Sequence, residues 1–151
     1  MNAHIQLLKA DVQVELEAIE RIYLALGTTE ANLADSKEAI IVGYYLHNLY
    51  NAFESIFRLV ATAFENHIPD TGQWHALLLE RMGRDISEIR PRLLSPDAII
   101  CLDELRRFRH LFRHLYRYDL RASGVQQALD KALELQPIYQ SNIADFFAFW
   151  D

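Results

Sequence analysis

The stretch Arg106-Arg107-Phe108-Arg109-His110-Leu111-Phe112-Arg113-His114-Leu115-Tyr116-Arg117-Tyr118-Asp119-Leu120-Arg121 carries the clearest period in the chain. At about 100° per residue, Leu105, Phe108, Leu111, Phe112 and Leu115 fall on one apolar stripe. Arg106, Arg109, Arg113 and Arg117 step along the opposite side. Such a segment is a helix that buries one flank and presents guanidinium groups on the other.

A charged stripe is ordinarily a solvated helix face, and that reading stands beside a sharper one. The cations here are all arginine, whose planar fork suits phosphate oxygens. No acid sits four positions before any arginine from Arg109 onward, so intrahelical pairing does not account for the stripe. His110 and His114, which can move protons near neutral pH, are interleaved with the cations. Together these residues predict phosphate binding with acid–base chemistry.

Length and charge bound the rest. A chain of 151 residues is long enough for one domain over 1–151 with a core that needs neither disulfide nor metal. The formal net charge is −6, which argues against nucleic-acid binding by the whole surface. Six of the fifteen lysines and arginines lie between Arg106 and Arg121, so the positive field is a patch. The single cysteine, Cys101, sits among apolar neighbours and reads as a small buried hydrophobe. No basic segment leads into an apolar run at the start, and no apolar stretch approaches a membrane span of about 18 residues. The expectation is a cytoplasmic protein with no membrane association.

Outward from the arginine helix, the other segments are also helical. Residues 4–26 read as a first helix with Ile5, Leu8, Val12, Leu16, Ile19 and Tyr23 on one face and Gly27 as its stop. Asp35-Ser36-Lys37-Glu38 resembles a capping box opening a second helix over about 36–67. Its apolar surface runs through Ile40, Tyr44, Leu49, Tyr50, Phe53, Ile56, Phe57, Val60 and Phe64. His47 and Asn48 interrupt it, either as hydrogen-bonded groups at the core edge or as support for the arginine helix. Ile68-Pro69-Asp70-Thr71-Gly72 is a break. A short helix over 73–85 follows, with Trp74, Leu77, Leu78 and Met82 inward and His75 on the surface. Ser95-Pro96-Asp97 starts the fourth helix with a hydroxyl cap, a first-turn proline and an acid at the positive dipole end. That helix is expected to reach residue 118, Ser123-Gly124 to interrupt the chain, and a last helix to cover 125–149 with Pro137 as a possible kink. Phe146, Phe147, Phe149 and Trp150 must dock on the bundle or on another subunit. The expected fold is all-α, an antiparallel bundle of four to five helices.

The sequence holds no His-Glu-x-x-His, no paired cysteines and no Gly-rich phosphate loop, so neither a metal nor any other cofactor is expected. Arginine and histidine remain. RNA cleavage without a metal uses the substrate's own 2′-hydroxyl as nucleophile. The protein then supplies an acid or base near neutrality and a cation for the phosphorane.

Arg109 followed by four residues, His114, one residue and Tyr116 reads R-x(4)-H-x-Y. This resembles the signature of HepT-like toxins in the HEPN superfamily, and His110 fits the polar position after the arginine. The segment from Gly43 to Glu54 and the segment from Trp74 to Leu78 are also similar to that family. The resemblance implies a helical bundle that forms a homodimer with Arg–His motifs facing a shared cleft. It implies a metal-independent endoribonuclease acting on tRNA or mRNA. It also implies a minimal nucleotidyltransferase as antitoxin partner, which transfers AMP to the motif tyrosine, here Tyr116. By this mapping Arg109 stabilises the phosphate, His114 is the acid–base residue and His110 supports it. Arg106, Arg113, Arg117 and Arg121 would extend a backbone-tracking groove.

On a regular helix five residues turn about 140°, so Arg109 and His114 would not share a face. The motif then works across a dimer interface or with the helix distorted near His114. Arg107, close to the His114 face, is a second candidate for the working cation. The other reading of the chain is a non-catalytic helical module of the same fold that binds RNA or a nucleotidyltransferase.

Overall fold

The computed structural model describes residues 2–28, 32–65 and 72–151. Five helices account for most of them: α1 (Ala3–Thr28), α2 (Ser36–Phe64), α3 (Trp74–Met82), α4 (Pro96–Arg113) and α5 (Ala122–Ala148). Among the described residues there is no strand beyond one isolated bridge between Ile86 and Arg90. The fold is all-α, as the periodicity predicts.

Helix α2 is the axis of the bundle, because it packs against each of the other four helices. Its middle is buried on nearly every side: Leu46, Leu49, Tyr50, Phe53, Ile56, Phe57 and Val60 are fully enclosed. A helix with apolar residues around so wide an arc has no choice but the centre. Ile40 and Tyr44, expected in that surface, point outward instead, and Ala39, Val42 and Gly43 take the inward positions. Helices α1 and α5 meet through Tyr23, whose hydroxyl donates to the Ala132 carbonyl at 2.7 Å and whose ring stacks on Tyr139. The aromatic tail docks on the bundle: Phe146 and Phe147 are buried and Trp150 stacks on Phe64, while Phe149 remains exposed.

Several boundaries differ from expectation. Gly27 lies within α1 rather than ending it. The Asp35 side chain caps α2 by accepting from the Lys37 N–H at 2.8 Å. Glu38 accepts instead from the Asn32 N–H, so the reciprocal half of the box is absent. Leu79, not Leu77, joins Leu78 and Met82 in the core, because positions 78, 79 and 82 share the face of α3 that meets the bundle. Helix α5 begins at Ala122, so Ser123 and Gly124 occupy its first turn, where a helix has no upstream packing to lose. The chain runs helical through Pro137. Of the expected break at 68–72, residues 68–71 lie outside the described residues.

The connection from α3 to α4 is clasped by a buried arginine. Arg90 is 2% exposed. Its guanidinium pairs with Glu65 at the end of α2 and donates to the carbonyls of Arg81 at 3.0 Å, Arg84 at 3.1 Å and Pro91 at 3.0 Å.

Candidate functional site

Helix α4 starts where the sequence predicts. The Ser95 hydroxyl accepts from the Ala98 N–H, Pro96 opens the first turn and Asp97 follows. The helix ends five residues short of expectation, at Arg113. His114 is its C-cap, with its N–H turned back to the Leu111 carbonyl at 3.1 Å, and Arg117 N–H closes a further turn on the His114 carbonyl at 2.9 Å. Two causes act together. The residues from Tyr116 to Asp119 are exposed and have no core to pack against. A longer helix would also stack Arg109, Arg113 and Arg117 at four-residue intervals, which is repulsive. The histidine and tyrosine of the motif therefore sit on the turn that leaves α4, and the 140° separation expected of a regular helix does not apply to them.

The arginines divide into two groups. Arg106 and Arg107 are ion-paired on their own helix, both to Asp103 at 2.9 and 3.0 Å and Arg107 also to Glu104 at 3.7 Å. Among the described residues Arg109, Arg113, Arg117 and Arg121 have no carboxylate partner. Arg109 is instead seated by an amide, its Nε donating to Asn51 Oδ1 on α2. With Oδ1 so engaged, the Asn51 amide nitrogen faces His47 Nδ1 at 3.4 Å. His47 packs its ring 5.5 Å from that of Phe112 on α4. The support role of His47 for the arginine helix is thus present, and it passes through Asn51, which the sequence did not single out.

A groove of about 320 Å³ runs between α4 and the start of α3. Arg106, Arg109, His110 and Arg113 form one wall, and Gln73 and His75 belong to the other. Arg107 lies outside it. His114 is not in the lining either, but it is joined to the groove through His110, whose ring is 4.7 Å away. Its other ring neighbour is Tyr116 at 5.9 Å. Tyr116 is 78% exposed, with the Arg117 guanidinium 5.6 Å from its ring.

One groove residue, His75, proves linked to a buried acid that the sequence left as ordinary. Glu54 on α2 is buried, yet it accepts from His75 Nδ1 at 2.8 Å and from Arg58 at 3.2 Å. Arg58 lies over the Trp74 ring at 4.2 Å. The available signal was a carboxylate on the apolar stripe between Tyr50 and Phe57, since an acid is rarely enclosed without a partner.

Charge placement shapes the titrating groups. Partial desolvation pushes the His114 pKa below its ordinary 6.5, and His110, Arg113 and Arg117 add to the effect. Burial lowers His47 too, aided by Arg109 and Arg113 and opposed by the Asn48 side chain. Burial also lowers the Arg109 guanidinium, while the Glu54 charge opposes that shift. Among the described residues no three His, Cys, Asp or Glu side chains gather as a metal site would require.

A family model described as HepT-like protein matches residues 41–150, from early α2 to the end of α5. The chain belongs to the HepT-like family. The match covers both walls of the groove and leaves α1 outside. No curated protein and no solved structure matches significantly. This HepT-like chain thus has the helical bundle that the resemblance implied, and the family is one of HEPN-type toxins. No helix among its described residues is long and apolar enough to cross a membrane.

Proposed function

We propose that this HepT-like protein is a metal-independent endoribonuclease toxin, built as one helical domain, that acts in the cytoplasm as a homodimer. The observation that carries the proposal is the seating of Arg109 by Asn51 in a groove whose far end reaches His114 through His110. A neutral His114 takes the 2′-hydroxyl proton, and the oxygen attacks the adjacent phosphorus. Arg109 stabilises the charge that develops on the phosphoryl oxygens. The products are a 2′,3′-cyclic phosphate and a 5′-hydroxyl. The lowered pKa of His114 suits a base at neutral pH. Arg106, Arg113, Arg117 and Arg121 track the backbone, and His110 supports the reacting pair. Arg107, paired to Asp103 and Glu104 and outside the groove lining, is a supporting residue in this reading, with Arg109 as the working cation. The antitoxin in this reading is a minimal nucleotidyltransferase that adds AMP to Tyr116, whose exposure leaves its hydroxyl open to a partner.

The test incubates the purified protein with tRNA and mRNA in the presence of a chelator. Wild type should cut, and His114→Ala and Arg109→Ala should each lose at least about 100-fold with helicity unchanged. Salt-sensitive binding without cleavage products would replace the proposal with a non-catalytic RNA-binding module. Cleavage that persists in the double variant would refute the assignment of residues.

A further inference from the structure

Cleavage by 2′-hydroxyl attack needs two proton transfers. One group takes the proton from the 2′-oxygen as the new O–P bond forms. Another gives a proton to the 5′-oxygen as the old P–O bond breaks. His114 supplies the first in the reading above, on which this inference rests; a second copy of the motif across the dimer would bring another His114, but that side chain has no hydrogen-bonded brace among the described residues.

The opposite wall of the groove does. His75 lies on the first turn of α3 and lines the groove facing Arg106, Arg109 and Arg113. Its Nδ1 stands 2.8 and 3.0 Å from the two Glu54 oxygens. An ionised carboxylate only accepts, so Nδ1 carries a hydrogen towards Glu54; in the imidazolium form that a general acid requires, Nε2 carries the second, transferable proton. Nε2 has no partner among the described residues. Glu54 is 3% exposed and sits on the most enclosed helix of the bundle, so it does not follow the ring if the ring turns. Arg58, stacked on Trp74, donates to the same carboxylate at 3.2 Å. A histidine oriented by a buried carboxylate and set in a guanidinium-lined groove is the arrangement that proton transfer requires.

We infer that His75 is the second proton-transferring residue of this site, delivering a proton from Nε2 to the departing 5′-oxygen, and that Glu54 is its positioning residue. The two imidazoles then stand on different elements, His75 on α3 and His114 at the exit of α4, and Arg109 lies on the α4 wall that faces His75. The balance closes within the reaction. His114 gains the 2′-proton, His75 loses one to the 5′-hydroxyl product, and solvent exchange restores both.

The experiment compares two substrates with the full-length protein: an ordinary RNA, and the same RNA with sulfur in place of the bridging 5′-oxygen at the cleaved bond. A thiolate leaves without being protonated, so the second substrate does not need the acid. His75→Ala should lose about 100-fold or more on ordinary RNA and cleave the sulfur substrate close to the wild-type rate. Glu54→Gln should show the same pattern with a smaller loss, since its amide oxygen still accepts from Nδ1–H. His114→Ala should lose activity on both substrates. Equal losses on both substrates in His75→Ala, or cleavage of ordinary RNA within about threefold of wild type, would overturn the inference while leaving the ribonuclease reading intact. A wild-type protein that cuts neither substrate would end that reading, and this inference with it.

Discussion

Arg109 is held by a relay of side chains, Arg109 to Asn51 to His47, that crosses from α4 to α2. A hydrogen bond to a charged group contributes about 1.5–3 kcal/mol, enough to keep one guanidinium in one place but not enough to survive loss of its acceptor. The relay makes stability sensitive to acid. The folded state holds the His47 pKa below 6.5, first by burial and then through Arg109 and Arg113, and His114 is lowered as well. Below pH 6.5 the unfolded chain takes up protons that the folded chain refuses, so stability falls as the pH drops towards the lowered values and is independent of these groups above 6.5. Urea midpoints should therefore decline from about pH 7 to about 5.5, and His47→Gln should flatten part of that decline. An unchanged slope in the variant would show that the relay does not hold His47 neutral.

Helices α2 and α4 approach closely at Gly43. A Cβ there would stand 2.7 Å from Phe112 Cε1 and 3.3 Å from Phe108 Cζ. Phe112 is only half-buried, so its ring can swing outward, but it would leave the His47 ring on which it packs. Gly43→Ala should thus change stability by no more than about 1 kcal/mol, because the gain in helix propensity offsets the repacking. The same variant should lower cleavage several-fold, as read by initial rates beside a thermal melt. A melt that drops steeply while activity per folded molecule holds would contradict this. The burial of Leu105 and Phe108 was legible in the sequence, since a 3.6-residue period along one helix needs no knowledge of its neighbours. The end of α4 at Arg113 was not, because no glycine or proline marks it and only the absence of a packing surface for 116–119 does. The links that build the groove were also hidden. Asn51 and Arg109 are 58 residues apart, and Glu54 and His75 are 21 apart, so each pair is created by helix packing that periodicity alone does not specify.

The bundle as a whole depends on a cation that takes no part in the groove. Arg90 ties the end of α2 to the α3–α4 connection, pairing with Glu65 Oε1 and donating to three carbonyls at once. Removing it leaves the buried Glu65 carboxylate with only the half-exposed Arg81, 3.6 Å away, so Arg90→Ala should cost about 3–5 kcal/mol in chemical denaturation. Arg90→Lys should recover little of that, since an ammonium lacks the planar fork. Near wild-type stability in either variant would mean that the clasp is dispensable. Helix content and order were readable from the sequence, whereas this clasp was not, because Ile89-Arg90-Pro91 looks like any stiff surface connection until its burial is seen. One further trait of the molecule concerns how α4 finishes. Arg109 stands on a regular rod braced from α2, while His114 hangs from the single-turn exit beyond it. The pair behaves like a vice with one fixed jaw and one sliding jaw: whatever presses on the exit, a second protomer or a strand lying across it, sets the gap between them.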